Sequence, residues 1–335
     1  MSKKKAGPGR KLEIAFFMDP IEKINLETDT TFLLMLEAQA RKHRVYYFTP
    51  REFRIENGAP AAALRPVRVK RPASPGQSHY SLRPAEERPL SELDLVFMRV
   101  DPPYSLEYVS LCQALHLVPP PTVVVNRPRG ILLGNEKFLA LRFADLMPPT
   151  IVTHEIGRLR EFLERVGGKM VLKPLAGFGG EGVVVVDKDH TNREALLSLM
   201  TDNGKSAVLA QKYLPVTSEG DKRIILLSGE PMGAVLRMPR PGDHRANLHA
   251  GGSYRKAAIT DRDREICSRV GAWARREGLW IVGLDIIAGH LTEVNVTSPT
   301  LVRQINELEG VNLERRILDF CEYLSETARA QSGGA

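Results

Sequence analysis

The sequence predicts an α/β protein in which a domain with a parallel sheet precedes two α+β lobes. Short apolar strands alternate with helices over residues 12–127, which is typical of parallel sheets with right-handed crossovers. A glycine-rich segment lies between two strand-like runs in the middle of the chain, and polar side chains interrupt two apolar strands near the C-terminus. These three features define the predicted organisation.

The composition excludes several classes of protein. The 335 residues include 47 Lys and Arg against 40 Asp and Glu, and 43% are hydrophobic, as in ordinary globular proteins. Apolar runs such as Val183 to Val186 are too short to span a bilayer. Three scattered cysteines predict no disulfide framework. Residues 1–11 are basic but lack the apolar core of a signal peptide, so we expect a disordered tail and a cytoplasmic protein.

The first domain, residues 12–127, contains the alternating elements. Thr28, Asp29 and Thr30 are capping candidates for its first helix. Residues 70–90 carry four prolines and few apolar side chains, so we expect an exposed, mobile insertion there. The predicted strands are Leu12 to Met18, Arg44 to Phe48, Leu93 to Met98 and Thr122 to Val125, and the predicted helices are Thr30 to Ala40 and Ser105 to Leu117.

Two lobes follow, at residues 128–205 and 206–330. Thr260 and Asp263 form a capping box, and Gly278 ends the helix that they begin. The other predicted helices are Asn135 to Leu146, Glu155 to Val166, Arg193 to Met200 and about Leu313 to Ala328. The predicted strands are Ile151 to Thr153, Lys169 to Lys173, Val183 to Val186, Ala207 to Lys212, Lys222 to Leu227, Met232 to Met238, Trp280 to Ile287 and Leu291 to Val296.

The segment Gly177 to Gly182 contains a formal G-x-G-x-x-G. A dinucleotide site would need a helix after it, but the β-branched run Val183 to Val186 follows. The segment is therefore predicted to join two antiparallel strands, and no P-loop motif occurs in the sequence. Glycine lets backbone N–H groups approach phosphate closely, and Lys173 would add a charge. A plain β-turn is the alternative interpretation.

Three oxygen-bearing side chains occur in two apolar strands near the C-terminus. Glu293 and Asn295 are two residues apart and share a strand face, and a tight turn would bring Asp285 beside them. Lone charges in such strands are costly to bury, and Mg²⁺ prefers these oxygens together with substrate phosphates. The sequence predicts a metal site; solvated acids on a strand edge are the alternative.

Together these residues resemble the ATP-grasp ligases, and specifically prokaryotic glutathione synthetase, over about Leu12 to Tyr323. Val100 and the tip Gly180 to Gly182 depart from the family pattern. The matching segments are Phe17-Met18-Asp19-Pro20-Ile21, Ile24-Asn25, Met98-Arg99, Asp101-Pro102-Pro103, Val125-Asn126-Arg127-Pro128, Asn135-Glu136-Lys137, Leu172-Lys173-Pro174-Leu175, Gly177 to Gly180, Gln211-Lys212-Tyr213-Leu214-Pro215, Gly220-Asp221-Lys222-Arg223, Asn247-Leu248, Ala250-Gly251-Gly252, Val282 to Ile287 and Leu291 to Thr300.

The resemblance implies an ATP-grasp fold preceded by a Rossmann-like substrate domain. It further implies an ADP-forming ligase that joins γ-glutamylcysteine to glycine through an acyl phosphate, with Mg²⁺ or Mn²⁺, and a homo-oligomer, either a dimer or a tetramer. Arg223 and Arg237 would be catalytic, and Asp285, Glu293 and Asn295 would hold the metal. The implied nucleotide contacts are Lys137, Lys173, Gly177, Gly179, Gly180, Gln211, Lys212, Tyr213, Leu214 and Asp221, and the implied peptide-substrate contacts are Arg99, Ser298 and Pro299.

Alternatives remain at this point. The ligase could use another acyl donor or amine, because fold does not fix substrate, or the chain could bind nucleotide without catalysis. Arg223 and Arg237 could be strand-surface charges that pair with Asp221 or Glu230. We expect a mobile loop at residues 239–252, although its histidines also suggest a metal. Neither a recognition helix nor aromatic platforms are evident, so we expect no nucleic-acid partner.

Overall fold

A computed structural model describes residues 10–74, 76–177, 179–216, 220–240 and 252–333. The predicted tail up to residue 9, Phe178 and almost all of the predicted loop 239–252 lie outside the described residues. The chain forms two compact units. One comprises the described residues up to Asp101, Leu111–Pro128 and the chain from Asn312, and the other comprises Pro102–Ser110 and Arg129–Val311.

The N-terminal unit is built on an eight-stranded sheet whose order is β3-β4-β2-β1-β7-β8, with β5 and β6 also paired to β4. Its strands are β1 (Glu13–Met18), β2 (Arg44–Phe48), β3 (Phe53–Glu56), β4 (Ala59–Val69), β5 (Tyr80–Leu82), β6 (Glu86–Pro89), β7 (Leu95–Arg99) and β8 (Val123–Val125). The helices are α1 (Thr30–Ala40) and α2 (Leu106–Leu115), of which α2 crosses the division between the units.

The centre of this sheet is parallel, as predicted, since β1 pairs with β2 and β7, and β7 pairs with β8, all in parallel. Phe16 stacks on Phe97 and Phe17 on Phe48, and all four rings are fully buried. Asp29 caps α1 by accepting a hydrogen bond from the N–H of Phe32 at 2.6 Å. The predicted strand–helix–strand start is therefore confirmed.

The antiparallel part of the sheet was not predicted. Strand β4 is alanine-rich and contains two prolines, residues that are depleted in strands. It nevertheless pairs with β2, β3, β5 and β6. The turn between β3 and β4 is Asn57-Gly58, with φ of 51° and 82°, the positive values that a tight two-residue hairpin requires.

The predicted insertion at residues 70–90 contains two short strands in its second half, which the sequence did not indicate, and its mobility remains a prediction. The described side chains there are mostly exposed, as expected, but β5 and β6 lie within it and pair with β4. The segment buries little apolar surface, so backbone hydrogen bonds to β4 hold it on the sheet. Prolines at the strand end, such as Pro89 in β6, are compatible with this pairing.

The last helix, α9 (Leu313–Ser332) in our numbering, groups with the N-terminal unit, whereas the predicted boundaries place it in the C-terminal lobe. Arg329 donates two hydrogen bonds to Asp94, whose side chain is only 1% exposed. Arg41 and His43 both contact Glu322, at 2.9 and 2.8 Å. These long-range ion pairs are not visible in local sequence patterns.

The second unit contains two antiparallel sheets, ordered β11-β10-β12-β9 and β15-β14-β13-β16-β17. The strands are β9 (Thr150–Thr153), β10 (Lys169–Pro174), β11 (Val184–Asp187), β12 (Val208–Lys212), β13 (Asp221–Leu227), β14 (Glu230–Met238), β15 (Ser253–Lys256), β16 (Ile281–Ile287) and β17 (His290–Asn295). The helices are α3 (Pro128–Ile131), α4 (Glu136–Leu141), α5 (Ile156–Arg165), α6 (Arg193–Met200), α7 (Asp261–Glu277) and α8 (Val302–Glu309).

Helix α5 shows why the smaller sheet is stable. Leu159, Phe162 and Leu163 recur at the spacing of one helical turn and therefore share the buried face of the helix. They belong to one apolar cluster with Met170 and Leu172 of β10. Burial of each such side chain contributes about 1.5–3 kcal/mol.

Helix α7 begins at the capping box of Thr260 and Asp263 and ends at the left-handed Gly278, as predicted. Among the described residues, none of the helices is long and apolar enough to span a membrane.

The ion pair between Arg329 and Asp94 predicts a measurable contribution to stability. Arg329→Met leaves the buried carboxylate with the N–H of Glu13 at 2.8 Å and Arg10 at 3.3 Å. We expect a loss of about 1–3 kcal/mol in the free energy of unfolding, measured by urea denaturation. Arg54→Met is the control, because Arg54 and Glu87 are 42% and 64% exposed. Equal effects of the two substitutions would contradict the assignment.

Candidate active site

One row of charged side chains crosses three neighbouring strands of the larger sheet. Arg223 on β13 lies opposite Asp285 on β16, which in turn lies opposite Glu293 on β17. Because directly opposed residues on one face are neighbours, this register alone brings the three side chains together. Arg223 donates from Nε and Nη2 to the two carboxylate oxygens of Asp285, the second at 2.8 Å. The planar fork of arginine suits this two-point contact.

A second arginine joins the same carboxylate from the next strand. Arg237 on β14 lies opposite Asp221, and its Nη2 donates to Asp221 Oδ2 at 2.6 Å. The same Nη2 lies 3.0 Å from Asp285 Oδ2. Arg223, Arg237 and Asp285 are 7%, 4% and 4% exposed, so these charges are paired out of water. The pairing of Arg237 with Asp221, one of the alternatives raised by the sequence, is observed within the site itself.

The two carboxylates differ in electrostatic environment. Burial alone would raise the pKa of Asp285, but the positive charges of Arg223 and Arg237 outweigh burial and hold this pKa well below its usual range. Burial raises the pKa of Asp221, and although Arg237 opposes this change, the negative charge of Asp285 adds to it. The surroundings therefore stabilise the charged form of Asp285 more than that of Asp221.

The oxygen donors near Asp285 fit a hard divalent cation. Asp285 and Glu293 carry carboxylate oxygens and Asn295 an amide oxygen, while Thr292 donates its hydroxyl to the backbone oxygen of Asp285 at 3.1 Å and the amide nitrogen of Asn295 donates to Asp285 Oδ2 at 3.4 Å. Among the residues that the structure describes, no group of three or more His, Cys, Asp or Glu could hold a metal. Mg²⁺ needs only one or two protein carboxylates when phosphates supply the other oxygens, so this donor set suits a metal that arrives with a nucleotide.

Two lysines, each close to a glutamate, complete the charged cluster. Lys173 Nζ on β10 lies 3.8 Å from Glu293 Oε1. Lys137 Nζ in α4 lies 2.9 Å from Glu136 Oε1 and donates to the backbone oxygen of Gly177. The side chain of Lys137 is 4% exposed, so it is not a plain surface lysine. Burial and the charge of Glu293 raise the pKa of Glu136, against the opposing effect of Lys137.

The glycine-rich segment joins two antiparallel strands, as predicted, because Leu172 of β10 pairs with Val184 of β11. Gly179 and Gly180 have φ of 61° and 79°, values that residues other than glycine rarely adopt. The prediction of a hairpin is therefore confirmed, whereas phosphate contact by Gly177, Gly179 and Gly180 remains a prediction.

A cleft lies over this cluster. Its walls include several of the predicted nucleotide and metal residues, namely Lys173, Gly180, Gln211, Lys212, Tyr213, Leu214, Asp221, Asp285 and Glu293. The side chain of Gln211 donates to Thr150 Oγ1 at 3.0 Å, and the N–H groups of Lys212 and Tyr213 donate to Pro149 and Lys169. Contact of this segment with adenine remains a prediction, and it would use the other backbone groups of the segment.

The three predicted contacts to the peptide substrate are not among the residues that line the cleft. Arg99 belongs to the N-terminal unit, is 5% exposed and donates from Nε to Thr31 Oγ1 at 3.0 Å. Ser298 and Pro299 follow β17 in the second unit, and Ser298 is buried. Their contact with a peptide substrate remains a prediction.

Sequence reasoning missed the apolar walls of the cleft and the role of Glu136 beside Lys137. The missed lining residues are Val171, Val183, Val185, Val216, Ile287 and Thr292. A signal was available, since Val171 and Lys173 are two apart on one strand, as are Val183 and Val185 on the next segment, and alternate residues share a face.

Comparison with known proteins identifies the family. The family model for the N-terminal domain of prokaryotic glutathione synthetase matches residues 12–131, and the model for its ATP-grasp domain matches residues 136–310. The chain belongs to the prokaryotic glutathione synthetase family. The ATP-grasp fold and the ADP-forming ligase class expected from the sequence are thereby confirmed.

Relatives within the family match over nearly their whole length. The glutathione synthetase of Thermosynechococcus vestitus is 42% identical over 318 residues, covering 92% of this chain and 98% of the relative. That of Synechocystis sp. is 40% identical over 319 residues, covering 93% and 99%. That of Mesorhizobium japonicum is 38% identical over 312 residues, covering 93% and 98%.

Solved structures with lower identity share the fold. A D-cycloserine synthetase has a TM-score of 0.62 at 15% identity and covers 94% of this chain and 99% of its own. A macrocyclase from Microcystis aeruginosa, solved with its precursor peptide, has a TM-score of 0.61 at 14% identity and covers 94% and 100%. At this identity the likeness concerns the ATP-grasp fold alone.

Gly283 offers a test of the position of Arg223. A Cβ atom at Gly283 would lie 3.2 Å from Cδ of Arg223 and 3.3 Å from Cβ of Pro299. We expect Gly283→Ala to shift Arg223 by about a few tenths of an ångström relative to Asp285 and to lower kcat for ADP release roughly 10-fold. Gly157→Ala is the control, because its Cβ would meet no atom within 4 Å and alanine favours the helix by about 1 kcal/mol. Unchanged kcat in Gly283→Ala would count against a role for Arg223.

Proposed function

We propose that this chain is a glutathione synthetase, which uses ATP to join γ-glutamylcysteine to glycine and releases ADP and phosphate. Family membership supports the reaction class, and the charged row of Arg223, Asp285 and Glu293 beneath the cleft is the observation that supports catalysis. A nucleotide-binding protein without activity would have no need to keep buried arginines beside buried acids, because each buried charge is costly.

The charges of the cluster balance in the absence of ligands. Each of the four cations that would meet phosphate lies beside a carboxylate, in the pairs Lys137–Glu136, Lys173–Glu293, Arg223–Asp285 and Arg237–Asp221. A nucleotide with bound metal brings both signs of charge at once. Asp285 and Glu293 would exchange a side-chain cation for the metal, and Arg223 and Lys173 would meet phosphate oxygens, so that the burial of charge would be compensated.

Asp285, Glu293 and Asn295 would hold Mg²⁺ or Mn²⁺ in this arrangement. Bound there, the metal would neutralise phosphate charge as the phosphoryl group is transferred. Glu293 is the most accessible of the two carboxylates, with its side chain 24% exposed against 5% for Asp285. It is therefore the group that a metal–nucleotide complex entering from the cleft would meet first.

The remaining residues bind and orient the substrates. Lys137, Lys173 and the glycines of the hairpin contact the nucleotide phosphates, and the segment from Gln211 to Leu214 contacts the adenine. An oxygen of the cysteinyl carboxylate attacks the γ-phosphorus, and ADP leaves. The amine of glycine then attacks the acyl carbon, phosphate departs with the former carboxylate oxygen, and the amine loses a proton. Arg223 and Arg237 stabilise negative charge in both steps, while Arg99, Ser298 and Pro299 contact the peptide substrate.

We propose a cytoplasmic homo-oligomer, a dimer or a tetramer, whose partners are small molecules rather than nucleic acid or membrane. Light scattering of the purified chain tests the oligomer, for which a monomer at micromolar concentration would be the contrary result.

A substrate panel tests the proposed reaction. Purified protein is incubated with ATP, Mg²⁺ and glycine, together with γ-glutamylcysteine or other dipeptides, and ADP and the tripeptide are measured. We expect ADP and glutathione in equal amounts. Turnover only with another dipeptide or amine would favour a different carboxylate–amine ligase, and absence of ADP with every substrate would exclude the ligase proposal.

Glu293→Gln tests the metal assignment. The substitution keeps the shape of the side chain but removes the charge that would bind the metal, so we expect kcat to fall at least about 100-fold and the Mg²⁺ concentration for half-maximal activity to rise. Among the described residues, Glu293 has one ion pair, to Lys173 at 3.8 Å, so we expect the melting temperature without metal to stay unchanged. Glu265→Gln, which removes an exposed partner of Arg262, is the control; wild-type Mg²⁺ dependence in Glu293→Gln would refute the assignment.

A further inference from the structure

The two buried arginines of the cluster are held in different ways. Arg223 donates two hydrogen bonds to Asp285, and Asp285 is the carboxylate that a metal would bind. Arg237 instead has two acidic partners through one atom, since its Nη2 lies 2.6 Å from Asp221 Oδ2 and 3.0 Å from Asp285 Oδ2. Occupation of Asp285 by a metal would therefore leave Arg223 without its carboxylate, whereas Arg237 would keep Asp221.

We propose that Asp221 is a positioning residue that holds Arg237 in place when Asp285 binds the metal. This inference rests on the proposed function and refines it. Asp221 would act on the nucleotide indirectly, by fixing the guanidinium of Arg237. Arg223 would be the arginine that moves from Asp285 to the phosphoryl group.

The backbone supports this division. Asp221 and Arg237 are directly opposed in the register of β13 and β14, so their distance is set by the sheet and not by a flexible loop. Gly220 immediately precedes Asp221 with φ of 70°, and a Cβ there would lie 2.7 Å from the side chain of Leu236 and 2.9 Å from Sδ of Met238. The chain can therefore approach β14 closely at this point, which places Asp221 at the first position of its strand.

Two atoms of the same pair have unused hydrogen-bonding capacity. Asp221 Oδ1 and Arg237 Nε are buried and have no hydrogen-bond partner among the described residues, although such groups are normally paired. With Nη2 bound to Asp221, the guanidinium of Arg237 is fixed in orientation, and its unpartnered Nε–H remains to be satisfied. An anionic oxygen of the reacting phosphoryl group is a partner of the required kind.

A double-mutant cycle on the full-length chain tests the proposal. Asp221→Asn, Arg237→Gln and the double variant are compared with wild type for kcat and for KM of ATP. We expect Asp221→Asn to lower kcat about 10-fold or more with KM for ATP within about 3-fold, because the loss concerns the transition state. In the Arg237→Gln background the same substitution changes kcat by less than about 2-fold, because the group through which it acts is gone.

Glu230→Gln is the matched control, since Glu230 lies on the same hairpin and pairs with Arg275 at an exposed position, 3.1 Å away. It should leave both constants unchanged. If Asp221→Asn fails to fold, Asp221→Glu takes its place, and a kcat within about 3-fold of wild type in this charge-conserving variant supports positioning.

Two results would overturn the proposal. Equal loss of kcat from Asp221→Asn in both backgrounds would show that Asp221 acts independently of Arg237. A rise in KM for ATP with unchanged kcat would show direct nucleotide binding. Either result leaves the proposed reaction standing if wild type forms glutathione, whereas an inactive wild type would overturn both proposals.

Discussion

The cost of burying charge governs the second unit of this protein. Arg223, Arg237 and Asp285 are nearly inaccessible to water, and each would be strongly destabilising alone. The register of β13, β14 and β16 solves this problem by placing the guanidinium groups beside carboxylates. Sheet geometry thus both stabilises the fold and assembles the proposed site, and a substitution that breaks a pair affects stability and chemistry together.

The same constraint explains how the proposed site can accept highly charged ligands. A cleft lined only by cations would repel itself when empty, and one lined only by acids would repel phosphate. Pairs such as Lys173 with Glu293 avoid both kinds of repulsion, because the glutamate could bind a metal and the lysine could bind a phosphate. Nucleotide and metal are expected to bind cooperatively for this reason.

Local patterns in the sequence predicted those parts of the fold that local physics determines. The capping box at Thr260, the left-handed Gly278 and the hairpin after Lys173 were all recognisable. Strand β4 was not, because its alanines and prolines have low strand propensity and its pairing depends on distant partners, although Asn57-Gly58 was an overlooked hairpin signal. Helix α9 contacts the N-terminal unit through long-range pairs such as Asp94 with Arg329. The pairing of Asp221 with Arg237 follows from the strand register, which no local pattern gives.

The central claim is that the cleft activates a carboxylate by phosphorylation, and the fate of the carboxylate oxygen tests this most directly. γ-Glutamylcysteine labelled with ¹⁸O in its cysteinyl carboxylate is converted with unlabelled ATP, Mg²⁺ and glycine, and the released phosphate is examined by mass spectrometry. An acyl phosphate requires that one labelled oxygen of the carboxylate leave with phosphate in each turnover. Product formation with no ¹⁸O in the phosphate would contradict the account.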